Sequence, residues 1–304
     1  MKLCYALRRG VYYPSQRDAF GEMPTKAHRA EYLRAVKRLG FDGLEIPAFT
    51  DGQASESTAR ELRRELEDAG LPVVCVRAGG PIAHPRDGRA VLARVLDAVR
   101  FASWVGASVV NTSCVTPPPI PGGPGALHIG EQVSQGASRY ASEADFVATA
   151  SAFREVGKLA GDYGLDVSIE IHQGSVADNS WSGLHLIDLI DLPNFGVNPD
   201  LGNIFWQYDE PEETCESAIV ALAPRAKYWH CKNLKKVAIP DLKKAIFLRV
   251  ALPDGDIDYR FAISAMIDAK YQGYMAIEGS REGDQLTIDG RSAAYAREIM
   301  AGLG

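Results

Sequence analysis

Short apolar runs alternate with longer amphipathic segments along this chain, and this alternation constrains the fold more than any other feature. Eight apolar runs have the length of a β-strand, and segments with helical spacing of apolar residues lie between them. The predicted strands are Leu3–Leu7, Gly43–Pro47, Val73–Arg77, Ser108–Ser113, Val167–His172, Gly196–Pro199, Ala226–Cys231 and Tyr274–Glu278. The predicted helices are Lys26–Leu39, Ser57–Ala69, Arg89–Val105, Glu143–Tyr163, Leu184–Ile190, Glu212–Leu222, Arg260–Ala269 and Ala293–Met300.

Eight strand–helix units in 304 residues predict an α/β fold, a single-domain (β/α)8 TIM barrel that spans residues 1–304. The strands are continuous apolar runs, as is typical of a parallel sheet covered on both faces. An open doubly wound sheet is the alternative, weakened because no GxGxxG motif follows the first strand. Glycines between a helix and the next strand predict left-handed helix ends. They are Gly40, Gly70, Gly106, Gly164 and Gly273.

Two long insertions interrupt the regular alternation. Thr116–Ser142 follows the fourth strand, and Lys235–Tyr259 follows the seventh and contains an extra predicted strand, Ala245–Leu252. Both leave from the carboxyl end of a strand, which is the catalytic face of such a barrel. They are therefore either a lid or partner surface, or tolerated excursions at the surface.

Composition excludes several classes of partner. The net charge is −6 and no basic block occurs, which argues against nucleic acid as the main partner. No apolar run approaches the roughly 20 residues of a membrane span, so no membrane association is expected. The five cysteines form no CxxC pair, which indicates a reduced, cytoplasmic setting without a zinc knuckle.

Four potential metal ligands lie at or near the ends of consecutive predicted strands: Glu170, Asp200, His230 and Glu278. Charged groups after apolar strands are costly to bury unless they are paired or bind a metal. Three carboxylates and one imidazole suit a divalent ion, with Mn²⁺ first and Mg²⁺, Co²⁺ or Zn²⁺ as alternatives. Taken singly, each acid could be a helix cap or salt-bridge partner, and the histidine a hydrogen-bonded core residue.

Two further side chains are candidates because of their spacing. His172 lies two residues after Glu170, so both side chains leave the same face of a strand. It is a candidate general base, and the alternative is a hydrogen bond that orients a ligand. Lys232 has the same spacing from His230 and could neutralise a developing oxyanion or pair with a carboxylate.

Two residues are weaker candidates for binding a substrate. Arg249 precedes the Pro253–Asp258 loop and could contact a substrate, or it could be a surface charge on the extra strand. Asn111 lies near the end of the fourth strand and faces the same mouth of the barrel, where it could also be an ordinary strand-end cap.

The sequence resembles the xylose-isomerase-like barrels, the superfamily of sugar phosphate isomerases and epimerases, over nearly the whole chain. The matching pieces are the Glu170 strand, Asn198-Pro199-Asp200 with Gly202-Asn203, His230-Cys231-Lys232, Pro253-Asp254-Gly255-Asp256-Ile257-Asp258 and Ile277-Glu278-Gly279. The resemblance implies one metal bound by Glu, Asp, His and Glu in this order. It also assigns acid/base roles to Glu170 and Glu278.

The implied reaction removes a proton next to a sugar carbonyl through a metal-stabilised enediolate, and the outcome stays open. Epimerisation or isomerisation is the broad class, with loss of a β-substituent as the alternative. The segment Glu170–Ser180 resembles catalytic subunits of C-glycoside deglycosidases, which act on 3-keto-glycosides with a small β-sandwich partner subunit. The expected substrate is a free sugar or glycoside, and the expected assembly is a homo-oligomer, or a hetero-oligomer if the protein is a deglycosidase.

Two other classes of function need consideration. Phosphodiester cleavage, as in endonuclease IV, uses additional histidines and positive charge; the early strands offer Glu45 but no histidine. A non-catalytic barrel acting as a partner or sensor would leave the four ligands idle, and metal analysis would decide between it and an enzyme.

Overall fold

The eight predicted strands form one parallel sheet that curves into a barrel. The computed structural model describes residues 1–7, 25–48, 55–114, 138–206, 211–242, 244–279 and 283–303. The barrel strands are β1 (Lys2–Ala6), β2 (Gly43–Pro47), β3 (Val73–Arg77), β4 (Val109–Thr112), β5 (Asp166–Glu170), β6 (Phe195–Asn198), β7 (Trp229–Cys231) and β10 (Tyr274–Ile277). Their order in the sheet is β6-β5-β4-β3-β2-β1-β10-β7.

The barrel closes where β6 meets the chain just before β7. Val197 and Ala226 form an isolated parallel bridge there, and the backbone N–H of Lys227 donates to the carbonyl oxygen of Val197 at 3.0 Å. The seventh strand itself begins at Trp229, later than the predicted Ala226, and pairs from there with β10. The predicted (β/α)8 TIM barrel is confirmed; its extent over all of residues 1–304 stays a prediction.

Helices cover the outside of the barrel and bury their apolar faces against it. They are α1 (Lys26–Arg38), α2 (Glu56–Asp68), α3 (Gly88–Val105), α4 (Glu143–Asp162), α5 (Ser180–Ile190), α6 (Leu201–Phe205), α7 (Cys215–Leu222), α8 (Tyr259–Asp268) and α9 (Gln285–Leu303). Ser55, Ser142 and Asn179 each begin a helix with a reciprocal capping box, which satisfies backbone donors of the first turn. No helix in the described ranges is long and apolar enough to cross a membrane.

Four of the five predicted left-handed glycines have that conformation, with φ between 68° and 88°. The prediction for Gly273 is wrong. After α8 the left-handed residue is Lys270, at φ 60°. Gly273 is instead close to Tyr271, whose hydroxyl oxygen would lie 2.3 Å from an added Cβ atom. The glycine is therefore explained by close packing.

The insertion after β7 forms an antiparallel hairpin of β8 (Asn233–Ile239) and β9 (Lys244–Val250). The predicted extra strand Ala245–Leu252 is confirmed as β9, and its partner β8 was not predicted. Most of the insertion Thr116–Ser142 lies outside the described residues, which resume at Ser138 with a 3-10 turn to Tyr140.

Candidate metal centre and active site

The four predicted metal ligands come together at the carboxyl ends of four barrel strands. Glu170 is the last residue of β5, Asp200 follows β6, His230 is in β7 and Glu278 follows β10. One potential ligand atom from each residue lies within 4.8 Å of the others. Neighbouring parallel strands end at the same edge of the barrel, which brings the four side chains to one point.

The imidazole of His230 points into this group of carboxylates. Its Nδ1 atom is 3.4 Å from Oε2 of Glu170 and 3.9 Å from both Oδ2 of Asp200 and Oε2 of Glu278. His230 and Asp200 are fully buried. Three carboxylates this close together in a largely buried site need positive charge to balance them, and a divalent cation would supply it.

The contacts of Asp200 favour a role as metal ligand over a role as helix cap. It occupies the N-cap position of α6, but its side chain makes no capping hydrogen bond. Its Oδ1 atom is buried and has no hydrogen-bond partner among the described residues. Three carboxylates, one of them with this unpaired oxygen, and an imidazole fit a hard or borderline divalent metal ion. The residues that would hold it are Glu170, Asp200, His230 and Glu278.

The electrostatics of the four side chains also indicate a place for a cation. Burial alone would lower the pKa of His230, but Glu45 and Glu170 raise it to about 10. Burial would raise the pKa of Glu170, but His230 holds it well below its usual range. Burial raises the pKa of Asp200 to about 7, although Lys232 opposes the shift. The carboxylates thus retain a proton on the imidazole that a metal would displace.

Two asparagines hold Glu170 in position. Asn203 of α6 donates to Oε1 of Glu170 at 2.8 Å and to the carbonyl oxygen of Ile171 at 3.0 Å. Asn111 donates a longer bond, 3.4 Å, to Oε2 of Glu170, and its own Oδ1 accepts from Ser168 at 2.7 Å. Asn111 thus contacts a candidate ligand directly and is more than a strand-end cap.

Lys232 and Arg249 contact the ligands from the side. Nζ of Lys232 is buried and lies 2.7 Å from Oδ2 of Asp200 and 2.9 Å from Oε2 of Glu278. Arg249 approaches Oε1 of Glu278 at 3.4 Å and stacks over the ring of Trp206. Arg249 is therefore more than a surface charge, while contact of either residue with a substrate stays a prediction.

A cavity of about 380 Å³ opens beside the four ligands, and its wall includes Glu170, His172, Glu278 and Asn111. Nδ1 of His172 lies 3.1 Å from the carbonyl oxygen of Gln173. Because a carbonyl oxygen only accepts, Nδ1 carries the hydrogen and Nε2 keeps its lone pair. Burial lowers the pKa of His172 despite the opposing charge of Glu170, so the neutral form is favoured.

Sequence reasoning missed the roles of Glu45 and Arg77. Glu45 of β2 is fully buried, with Oε2 2.6 Å from Nε2 of His230. Arg77 of β3 lies on the cavity wall, with Nη1 3.3 Å from Oε1 of Glu45. The available signal was a charged residue between Leu44 and Ile46 inside an apolar strand, which requires a buried partner.

Comparisons with known proteins agree with this architecture. The family described as "Xylose isomerase-like TIM barrel" matches residues 33–301 of the chain. The chain belongs to this family. The resemblance predicted from the motifs at Glu170, Asn198–Asp200, His230 and Glu278 is therefore confirmed.

Curated relatives match over a part of their length. An inosose dehydratase of Clostridium perfringens is 24% identical over 150 residues, which cover 46% of this chain and 49% of the relative. The chain thus spans about half the length of the curated relatives it matches.

Solved structures share the fold over the whole chain. A xylose isomerase-like TIM barrel protein from Mycobacterium smegmatis in complex with magnesium has a TM-score of 0.78 at 20% identity, covering 100% of this chain and 98% of the other. A 3-keto-D-glucoside 4-epimerase from E. coli has a TM-score of 0.68 at 18% identity, covering 98% and 99%. At these identities the likeness concerns the fold.

Proposed function

We propose that this protein is a divalent-metal-dependent sugar isomerase or epimerase that removes a proton from the carbon next to a sugar carbonyl. The observation that carries the proposal is the convergence of four metal-ligand side chains beside a cavity that also contains His172. When bound, a divalent cation supplies stabilisation of the negative charge that develops on the carbonyl oxygen. Mn²⁺ is the proposed ion, with Mg²⁺, Co²⁺ and Zn²⁺ as alternatives.

Three side chains on the cavity wall are candidates for moving the proton. Nε2 of His172 has the lone pair required of a general base, and the neutral form of this histidine is favoured. The carboxylates of Glu170 and Glu278 also border the cavity and could remove and return the proton on opposite faces of the sugar. Return to the same carbon on the other face gives an epimer, and return to the neighbouring carbon gives an isomer.

A second candidate reaction is β-elimination, favoured by the position of His172 and by the partial match to inosose dehydratases. The proton beside a keto group would pass to the histidine, and the bond to the β-substituent would break with its electron pair. A protonated side chain would supply the proton that the departing group takes. In a 3-keto-glycoside this group is the aglycone, as in a C-glycoside deglycosidase with a β-sandwich partner.

The decisive experiment uses Mn²⁺-loaded protein in deuterated water, incubated separately with ketohexoses and 3-keto-glycosides and followed by NMR. We expect one deuterium at the carbon next to the carbonyl, together with an epimer or isomer. Release of an aglycone would select the elimination. Metal-loaded protein that neither introduces deuterium into either class of compound nor releases an aglycone would contradict the proposal and favour a non-catalytic partner or sensor.

The proposed setting is a cytoplasmic homo-oligomer that acts on a free sugar or glycoside. Size-exclusion chromatography with light scattering would measure the assembly. A co-purifying small β-rich subunit would instead support the hetero-oligomer expected of a deglycosidase.

A further inference from the structure

A line of three side chains connects the cavity wall with the candidate metal centre. Arg77 borders the cavity and contacts Oε1 of Glu45 at 3.3 Å, and Oε2 of Glu45 is 2.6 Å from Nε2 of His230. Glu45 and His230 are both fully buried, although 185 residues separate them in sequence. A carboxylate inside a barrel is costly unless it is paired, and these two partners meet that requirement.

The contact with Glu45 determines which nitrogen of His230 faces the metal ligands. A carboxylate accepts hydrogen bonds, so Nε2 of the imidazole carries hydrogen. The opposite nitrogen, Nδ1, is the one that lies 3.4 Å from Glu170 and 3.9 Å from Glu278. The backbone N–H of His230 donates to Oδ1 of Asn198 at 2.6 Å, so backbone and ring are both held.

We propose that Glu45 is a positioning residue for the metal centre and that Arg77 holds Glu45 from the cavity wall. The inference rests on the proposed metal-dependent function. Glu45 fixes the ring orientation of His230 and determines that Nδ1 faces the ion. The same contact makes the imidazole more basic, and therefore a stronger electron-pair donor to the metal. Arg77 restrains the carboxylate of Glu45 from the other side.

The test is the Mn²⁺ affinity of Glu45→Gln, measured by isothermal titration calorimetry on the full chain. Gln has nearly the same size but carries no charge, so we expect the dissociation constant to rise about 10- to 100-fold. The matched control is Glu65→Gln, which makes the same change at the ion pair between Glu65 and buried Arg29, 3.1 Å apart. This control should bind Mn²⁺ like the wild-type protein.

A second readout separates positioning from a purely structural role. The visible absorption bands of the Co²⁺-loaded protein depend on the donors around the ion, so they should shift in Glu45→Gln and stay unchanged in Glu65→Gln. Arg77→Gln should weaken Mn²⁺ binding by a smaller factor, several-fold, because it acts through Glu45. Glu45→Asp keeps the charge and should retain more of the affinity than Glu45→Gln.

Wild-type Mn²⁺ affinity and an unchanged Co²⁺ spectrum in folded Glu45→Gln would overturn the inference. If this variant did not fold, unchanged affinity in Arg77→Gln would overturn it equally. Wild-type protein that bound no Mn²⁺ would overturn both the inference and the proposed function. Wild-type protein that bound Mn²⁺ but exchanged no proton would contradict the proposed function alone, and the affinity comparison would still test Glu45.

Discussion

The ammonium group of Lys232 supplies positive charge directly to two of the four candidate metal ligands. It is buried within 2.9 Å of oxygens from Asp200 and Glu278. Without a bound metal ion, its positive charge offsets the repulsion between these two carboxylates. Removing one partner of a buried ion pair leaves the other charge uncompensated.

Lys232→Met should therefore lower the free energy of unfolding of the metal-free protein by about 3–5 kcal/mol. A bound divalent cation would replace the missing charge, so Mn²⁺ should raise the melting temperature of this variant more than that of the wild type. Lys235→Met, which removes the exposed pair with Asp256, is the control and should cost no more than about 1 kcal/mol. Equal losses in the two variants, measured by urea unfolding, would contradict this role for Lys232.

His172→Asn should separate proton transfer from metal binding. Loss of a general base lowers turnover by about 10²- to 10⁴-fold, whereas Mn²⁺ affinity should change little because His172 is outside the proposed ligand set. His185→Asn alters a half-buried histidine outside the cavity that contacts Glu143, and it should leave both quantities unchanged. Deuterium incorporation measures the turnover, and calorimetry measures the Mn²⁺ affinity. Full turnover in His172→Asn would favour the two-glutamate scheme.

Among individual residues, the sequence predicted which four candidate ligands come together, but not the contacts around them. A charged residue at the end of an apolar strand signals a site, which is how Glu170 and Glu278 could be found. Glu45 carries the same signal inside β2, but its partner His230 is on a strand that is not its neighbour in the barrel. Its role depends on distances across the barrel, and strand patterns contain no such information.

At the scale of elements, Asn233 holds the hairpin to the loop that follows it. Its Nδ2 donates to the carbonyl oxygens of Leu252 and Ile257 at 2.7 and 2.9 Å. Its Oδ1 accepts from the backbone N–H groups of Leu234 and Ile257. Gly255 passes so close that an added Cβ atom would lie 2.1 Å from Asn233.

Asn233→Ala should lower the free energy of unfolding by about 3 kcal/mol, because buried backbone groups of Leu252 and Ile257 would lose their partners. Gln272→Ala, which removes an exposed amide, should change it by no more than about 0.5 kcal/mol. Denaturant unfolding measures both. A loss below about 1 kcal/mol for Asn233→Ala would show that the loop is held by other contacts.

Asp178 makes the anchoring of the β5–α5 connection sensitive to pH. It accepts from the backbone N–H of Ser138 at 3.2 Å, and burial raises its pKa from 3.8 to about 6. A raised carboxyl pKa means that the folded state binds the proton more tightly. The contribution of protonated Asp178 to the free energy of unfolding is therefore complete below about pH 4 and is lost as the pH rises through 6.

Asp178→Asn should remove this dependence. Between pH 5 and pH 7 the stability of the variant relative to the wild type should increase by roughly 1 kcal/mol. Asp188→Asn, at an exposed residue paired with Arg225, should show no such trend. Thermal or urea unfolding at the two pH values tests this, and a constant difference would contradict the assignment.

Most barrel elements could be predicted because their own residues specify them. The strands β2 and β3 have the predicted boundaries. The strand β8 was missed because Asn233–Ile239 contains two lysines and depends on pairing with β9. The short helix α6 was missed because its five residues have little helical preference of their own and depend on packing.

Over the whole molecule, the barrel unites residues that are more than 100 positions apart in sequence into one centre. Glu170 and Glu278 approach the same His230 because β5, β6, β7 and β10 follow one another in the closed barrel. The number of strand–helix units predicted this closure. Which reaction the centre performs cannot be read from the fold, because members of one fold carry out different reactions.

We propose that Glu170, Asp200, His230 and Glu278 together hold one divalent metal ion. The most direct measurement is a titration with Mn²⁺, in which free ion is counted by electron paramagnetic resonance. We expect one tightly bound Mn²⁺ per wild-type chain and an affinity at least about 100-fold lower in Asp200→Asn, a larger loss than is usual for residues that only orient ligands. Absence of bound Mn²⁺ in the wild type, or unchanged binding in Asp200→Asn, would contradict the claim.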